Sequence, residues 1–536
     1  MIRSFDIFDT VLTRNVGSPE AVFLCTGQIA FREGLVGMTP KEFKHLRIEA
    51  ETEARRKKDG REVTLEDIYE SLAELGGISP ESVQDLLKIE LEIEDSGLRP
   101  VNVMAGEVAD ARVNHGTVAF LSDMYLPAKF LETKLRACGL FRDGDHLLVS
   151  ADQGATKYSG KLYLEFLGNV GLKPAELLHR GDNWMSDVQM PKRLGIRTAH
   201  FEASALNRYE RILENHSEPT EAVSSFFAGA SRLVRLDSVS NSPRTAALQA
   251  VAAGVAGPAL LSYVLWVLRR AGQLRLKRIY FLARDGQILL KLASLAAPVV
   301  GFTGELRYLY ASRQSLRLPT TNMADPESLH WSLDDTTFLS ISSFLERLDL
   351  TVAGLEDVLL RHGLDPAAAR ENLDKAMRQK LPGLIRDAQF RRSIGRAAEE
   401  RKRDLSKYLQ QEGVVGQDEF GIVDLGWNGT LQIALERLIK EEKAMIPVGF
   451  YFGLSRRASE AGLEKREAFF FDEGRQTGFL KREYWVEPML EVFCAADHGS
   501  TQRFELSNGR VIPVLKSAHN DAVLAWGLSS QQKAIL

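Results

Sequence analysis

Short apolar runs that break into charged turns recur in two blocks along the chain, and stretches with helical spacing separate them. In the first block, Ser4-Phe5-Asp6-Ile7-Phe8-Asp9-Thr10-Val11-Leu12 reads as a strand ending in an acidic loop, and Thr117-Val118-Ala119-Phe120-Leu121-Ser122 as a continuous buried strand. Leu177-Leu178-His179-Arg180-Gly181-Asp182 repeats the idea and is followed by Asp187. From about Gly17 to Pro100 the apolar positions recur at three and four residues, as in Glu42–Ile48 and Leu86–Ile93, which predicts helices. Thr64-Leu65-Glu66-Asp67 has the form of a capping box with Asp in place of Glu, and Ser79-Pro80-Glu81 that of a helix start. Strands alternating with helices predict an α/β fold with a parallel sheet.

Four groups in the first block suit chemistry on a phosphate. Asp6 stands at the C-terminal tip of a strand, where open α/β sheets place their sites. Ser122 ends the second strand and offers a hydroxyl, Lys157 precedes a helical stretch and offers a cation, and Asp182 with Asp187 offers hard oxygens of the kind Mg²⁺ takes. Asp123 is read as the cap of a helix beginning near Pro127, with metal ligation as the alternative. Lys161 is a rival to Lys157. Arg47, Glu51 and Arg55 recur along one helical face, which predicts a solvated face, with substrate contact as the alternative.

Asp-x-x-x-Thr, then Ser, Lys and Gly-Asp-x-x-x-x-Asp in this order resemble the haloacid dehalogenase (HAD) superfamily over roughly the first two hundred residues. The resemblance implies a Rossmann-like parallel sheet with an inserted helical cap (17–100). It also implies an Mg²⁺-dependent hydrolase, a phosphatase more than a dehalogenase, whose nucleophile is Asp6. Ser122 would anchor phosphate, Lys157 would offset charge, and Asp6, the Phe8 main-chain carbonyl, Asp182 and Asp187 would hold the metal. The substrate would be a phosphorylated small molecule of the sugar or nucleotide-sugar class. Phosphatases of this family usually carry an acid two residues after the nucleophile, where this chain has Phe8. Asp9 is the candidate replacement. The alternatives are a dehalogenase or phosphonatase-like reaction, a substrate with a good leaving group, or a non-catalytic phosphate-binding scaffold.

The second block begins near Asn241. Ile279–Leu282 runs into Ala283-Arg284-Asp285-Gly286, Leu306–Ala311 into Ser312-Arg313, and Gly421–Val423 into Asp424-Leu425-Gly426-Trp427-Asn428-Gly429-Thr430. Strand, glycine turn and helix start together suit an anion, so Arg284, Asp285, Ser312, Arg313, Asp424, Asn428, Gly429 and Thr430 are second-site candidates. The Asp424 loop is similar to phosphoribosyltransferases, with one acidic residue where that family has two. The alternative it opens is a C-terminal domain, phosphoribosyl- or glycosyl-transferring, that is the main catalyst. The pairing of the two blocks resembles a group of large bacterial hydrolases associated with surface polysaccharide biosynthesis.

These readings divide the chain into a first domain (1–205), a linker (206–240), a second α/β domain (241–512) with a helical insertion (337–416) that would cover the second site, and a tail (513–536). The 536 residues exceed one core. A net charge of -4 with mixed signs gives no basic stripe, against a dedicated nucleic-acid binder. Cys25, Cys138 and Cys494 lack metal spacing, and the first strand starts at once, so a cytoplasmic protein without a signal peptide is expected. Ala250–Leu268 carries no charge, yet Gly254, Gly257, Pro258 and Ser262 point to a buried helix and not a membrane span. Oligomeric state is not legible.

Overall fold

Strand order places the chemistry of the first half of the chain before any side chain is considered. The computed structural model describes residues 2–58, 62–237, 242–333, 338–442, 444–460, 465–478 and 486–536, and the chain divides into two units, Met1–Pro258 and Ala259–Ala534. In the first, β1 (Ile2–Phe5), β2 (Val118–Ser122), β3 (His146–Val149), β4 (Leu177–Gly181) and β5 (Arg197–His200) form one parallel sheet in the order β3-β2-β1-β4-β5. Ser4 faces Ala119 on one side and His179 on the other. The order reverses between β1 and β4, and a doubly wound sheet opens its crevice there, beyond the strand C-termini. Asp6 follows β1 and Asp182 follows β4, so both lie at that reversal.

The segment between β1 and β2 folds as the expected helices: α1 (Glu20–Arg32), α2 (Pro40–Lys57), α3 (Leu65–Gly76) and α4 (Pro80–Gly97). A short ribbon pairing Leu12–Arg14 with Leu98–Pro100 closes its base. The Thr64 box forms, with the Thr64 amide donating to Asp67 Oδ2 (2.9 Å) and the Asp67 amide to Thr64 Oγ1 (3.2 Å). Ser79 caps α4 by accepting from the Ser82 amide at 3.2 Å.

On the charged face of α2, Arg55 is exposed as expected and Glu51 partly so, but Arg47 is not. Arg47 is fully buried. Its guanidinium lies 4.3 Å from the Phe23 ring centroid and 5.0 Å from that of Tyr125. It donates to Glu90 through Nε (3.0 Å) and Nη2 (2.8 Å), and the Tyr69 hydroxyl donates to the same carboxylate at 2.7 Å. Heptad-like spacing cannot separate such an arginine from a surface one, because its partners come from three other segments.

Residues 206–237 are helical where a linker was expected; 238–240 lie outside the described residues. Helices Arg208–Glu214 and Val223–Asp237 pack within the first unit. At Gly229 a Cβ would come within 2.2 Å of the Asn15 backbone, so the second helix rests directly on the chain leaving the Asp6 loop.

In the second unit, helix α5 (Gly257–Gln273) precedes β6 (Arg278–Leu282); α6 (Gly286–Val300), β7 (Glu305–Leu309), β8 (Phe420–Asp424), α7 (Thr430–Glu441), β9 (Val448–Leu454), β10 (Arg466–Asp472) and β11 (Thr477–Gly478) follow. The sheet order is β11-β10-β9-β8-β6-β7, parallel except at the β10/β11 edge. Its reversal falls between β6 and β8. The stretch Pro243–Gln273 is long and apolar enough to cross a membrane by length and composition. Within α5, however, Tyr263 is buried and its hydroxyl donates to the Asp424 and Phe450 carbonyls at 2.8 Å, a core contact. The expected insertion is helical from Ile341 to Gln411 around its own apolar cluster, which includes Phe344, Leu359, Leu384 and Phe390; its expected first residue, 337, lies outside the described residues.

Breaking a buried ion pair from one side strands the other charge and costs about 3–5 kcal/mol. Arg47→Ala is therefore expected to lower the unfolding free energy by about that amount in denaturant titration, while Arg55→Ala, at a partly exposed pair, changes it by less than ~1 kcal/mol.

Candidate active site

The Asp6 amide donates to the Arg180 carbonyl at 2.9 Å, which extends the β1/β4 pairing by one residue and fixes the carboxylate over the crevice. Lys157 is buried, and its Nζ contacts Asp6 Oδ1 and Asp187 Oδ1, the latter at 2.6 Å. Lys161, its rival, begins the next helix and is exposed. Burial lowers the Lys157 proton affinity, but Asp187 and Asp6 outweigh it and hold that affinity well above the ordinary lysine range.

Asp123 neither caps the helix near Pro127, whose N-cap shows no side-chain bond, nor belongs to the carboxylate cluster. It accepts from the amides of Lys157 (2.6 Å) and Tyr158 (3.2 Å). Its role is to shape the loop that presents the lysine.

Asp187 lies in a turn of π-helix, Trp184–Gln189, a geometry that recurs at functional sites. It accepts from the Asn183 amide at 2.9 Å and lies 3.1 Å from His179 Nε2. His179 Nδ1 in turn lies 2.8 Å from Ser4 Oγ. Burial holds the imidazole below its usual range, against the Asp187 hydrogen bond and charge. A Cβ on Gly181 would overlap the Asp187 carboxylate at 2.4 Å, which is the physical reason for glycine in Gly-Asp-x-x-x-x-Asp. Thr10 Oγ1 lies 3.3 Å from Asp6 Oδ2 and 3.4 Å from Asp182 Oδ1, and so ties the two strand tips together. Ser122 closes β2, buried, one strand away.

Phe8 is half-buried with its ring 4.5 Å from the Arg14 guanidinium, and it carries no transferable proton. Asp9 has φ 52°. Its Oδ1 accepts from Thr13 Oγ1 (2.7 Å) and pairs with Arg232 Nη1 (3.2 Å). Arg232 also donates to the Arg14 and Val16 carbonyls. Both Arg232, in the supposed linker, and His179 went unread in the sequence. An inward-facing histidine two positions before the strand's glycine was the available signal for the second; nothing local marks the first.

One carboxylate oxygen each from Asp6, Asp182 and Asp187 lie within 4.8 Å of one another. Three carboxylates face one ammonium, so full ionisation leaves two negative charges uncompensated. Burial, with Asp187 and Asp182 adding to it against Lys157, raises the Asp6 carboxyl well above its usual range. Burial, Asp9 and Asp187 raise Asp182 to about 6. Asp187 is held low, against burial, by Lys157 and His179. An all-oxygen donor set short of two positive charges fits a hard divalent cation.

The second-unit candidates also come together. A cavity of ≈ 900 Å³ at the β6/β8 reversal is lined by Arg284, Asp285, Ser312, Arg313, Asp424, Asn428 and Thr430, but not by Gly429. Gly429 instead serves the turn, at φ 65°. Ser312 is committed to structure: its oxygen accepts from the Ser315 amide at 3.0 Å and its hydroxyl donates to the Thr501 carbonyl. Asn428 Oδ1 accepts from Ser455. Among the described residues the expected insertion contributes nothing to the lining. Pro488, Glu491, Val492, Asn520, Val523 and Trp526 do, so part of the supposed tail belongs to this cavity. Burial and then Asp285 raise Asp424 to about 8, with Arg313 acting in the opposite sense.

A carboxyl whose pKa rises on folding makes the native state bind more protons, so stability falls as pH climbs from the unfolded value toward the folded one. Asp424→Asn, which has no proton to lose, is expected to gain stability relative to wild type between pH 5 and pH 7. The gain is at most about 1.4 kcal/mol per pH unit and flattens above about pH 8, as read by denaturant unfolding at each pH.

No family model and no curated protein matches the chain. Solved structures similar to its N-terminal part include an HAD phosphatase from Thermococcus onnurineus, 20% identical, covering 39% of this chain and 86% of its own, with a TM-score of 0.28. Others are a 2-haloacid dehalogenase from Pseudomonas syringae (16% identity, 39% and 89% covered, TM-score 0.28) and an HAD family enzyme from Bacteroides thetaiotaomicron (13%, 39% and 97%, 0.28). At these values the likenesses assign no function. The N-terminal unit is a parallel α/β sheet with a helical insertion after β1, the arrangement that the sequence resemblance implies.

Proposed function

We propose that the first unit is a metal-dependent hydrolase that cleaves a phosphate ester of a small molecule, of the sugar or nucleotide-sugar class, through a covalent intermediate on Asp6. The observation that carries the reading is the buried contact of Lys157 with both Asp6 and Asp187, beside Asp182. In the first step Asp6 attacks phosphorus, the new O–P bond forms as the ester O–P bond breaks, and the leaving alkoxide takes a proton. In the second, water attacks the aspartyl phosphate, freeing Asp6 and inorganic phosphate, and gives up a proton. Lys157 steadies the charge on Asp6 and on the phosphoryl oxygens, and Ser122 donates to one of those oxygens. A divalent cation, Mg²⁺ by the chemistry of the donors, would be held by Asp6, Asp182, Asp187 and the Phe8 carbonyl and would supply charge neutralisation.

Asp9 is the carboxyl nearest in sequence to the missing acid, but it acts only if it leaves Thr13 and Arg232. Phe8 thereby favours substrates whose leaving group needs no proton. It equally supports a second reading, displacement at carbon as in a dehalogenase. Three free cysteines support a reducing, cytoplasmic setting. A role in surface polysaccharide biosynthesis rests on the sequence resemblance.

Mg²⁺-dependent hydrolysis of an aryl phosphate is expected for the wild type, with Asp6→Asn slower by about 10³-fold or more. Phe8→Asp is expected to raise turnover of alkyl phosphates toward the about 10²–10⁴-fold that a positioned acid contributes. Turnover of 2-haloacids with none of aryl phosphates would move the assignment to the second reading.

A further inference from the structure

The ≈ 900 Å³ cavity of the second unit is built from three strand tips and the C-terminal helices. Arg284 and Arg313 stand at the tips of β6 and β7. Both are exposed, neither guanidinium has a side-chain hydrogen bond or ion pair among the described residues, and both act by charge on the nearby Asp285 carboxyl. Two arginines on the cavity wall whose guanidinium donors are not taken up by hydrogen bonds among the described residues suit an anion. Helices α6 and α7, 15 and 12 residues long, both start beside this wall, with Gly286 and Thr430 as first residues, so their positive ends add to the field. Close packing fixes the loops between: a Cβ on Gly286 would lie 2.7 Å from the Phe281 backbone, and one on Gly426 would lie 2.3 Å from the Gly453 carbonyl.

The lining also carries aromatic and apolar groups. Trp427 lies parallel to Phe471, with an interplanar angle of 4° at 6.0 Å, which holds the indole rigid, and its Nε1 donates to Glu491 at 3.4 Å. Trp526, Pro488, Val492 and Val523 also line the cavity. Asp424 and Asp285 are lining groups able to hydrogen-bond hydroxyls. The volume is near the upper end of the roughly 300–1,000 Å³ of small-molecule sites, far more than a bare phosphate fills.

We propose that this cavity is a second ligand site, separate from the Asp6 centre, and that its ligand is a phosphate ester carrying a sugar ring: the phosphate meets Arg284 and Arg313, the ring lies against Trp427 and Trp526, and its hydroxyls meet Asp285 and Asp424. A hexose phosphate and a nucleotide share this chemistry. The proposal does not depend on the hydrolase reading of the first unit, and the test keeps the two apart.

The full chain, in a buffer with chelator to exclude metal, is titrated with inorganic phosphate, glucose 1-phosphate and UMP. Calorimetry and tryptophan fluorescence are read, the second because Trp427 and Trp526 line the site. At least one ring-bearing probe is expected to bind with Kd at or below about 1 mM, at least tenfold tighter than inorganic phosphate. Arg284→Ala and Arg313→Ala are each expected to weaken it tenfold or more with an unchanged circular dichroism spectrum, and Trp427→Phe to reduce the fluorescence change. Asp6→Asn is expected to bind as wild type. Which probe wins separates a sugar phosphate from a nucleotide. No binding by any probe at 1 mM, affinity equal to that for phosphate alone, indifference to both arginine variants, or loss in Asp6→Asn would each overturn the proposal.

Discussion

The first unit depends on one buried ammonium. Lys157 sits between Asp6 and Asp187 with almost no exposure, and its desolvation is tolerable only because the two carboxylates are there. The reverse is equally true, since Asp6 and Asp187 could not remain charged so close together without it. Around that contact the rest of the site falls into supporting parts. Asp123 shapes the loop that delivers Lys157, His179 and the Asn183 amide orient Asp187, and Thr10 ties the tips of β1 and β4. The cluster is still short of positive charge, and that deficit is the physical argument for a divalent cation.

The two units apply the same sheet rule to different ends. Each has a parallel sheet whose strand order reverses once, between β1 and β4 or between β6 and β8, and each gathers its polar groups beyond that reversal. In the first unit the gathered groups are tightly paired with one another. In the second they line an open cavity, where among the described residues two arginines and an aspartate make no side-chain hydrogen bonds. Paired groups favour chemistry on a small reacting centre, and unmatched ones favour holding a larger ligand.

Much of this was legible because it is local in sequence. Asp6, Ser122, Asp182 and Asp187 follow apolar runs, and the box at Thr64 and the cap at Ser79 need only neighbouring residues. What escaped depends on distant partners. Arg47 looked like a surface charge because Glu90, Phe23 and Tyr125 are not near it in sequence. Asp123 looked like a helix cap because the Lys157 amide lies 34 residues on. Ser312 looked available until the Thr501 carbonyl was placed beside it. Residues 206–237 looked like a linker because their polar composition hides the contacts of Gly229 with Asn15 and of Arg232 with Asp9.

The central claim is that Asp6 is the atom donor to phosphorus, and it is tested most directly by trapping. Wild-type protein with Mg²⁺ is mixed with acetyl phosphate, quenched in acid within the first turnovers, digested and examined by mass spectrometry. A phosphoryl group on the peptide that contains Asp6, lost on treatment with hydroxylamine and absent when Lys157 is replaced by Ala, is the predicted result. A folded, metal-bound protein that turns over acetyl phosphate with no phosphoryl group on that peptide, or with one on another carboxylate, would contradict it.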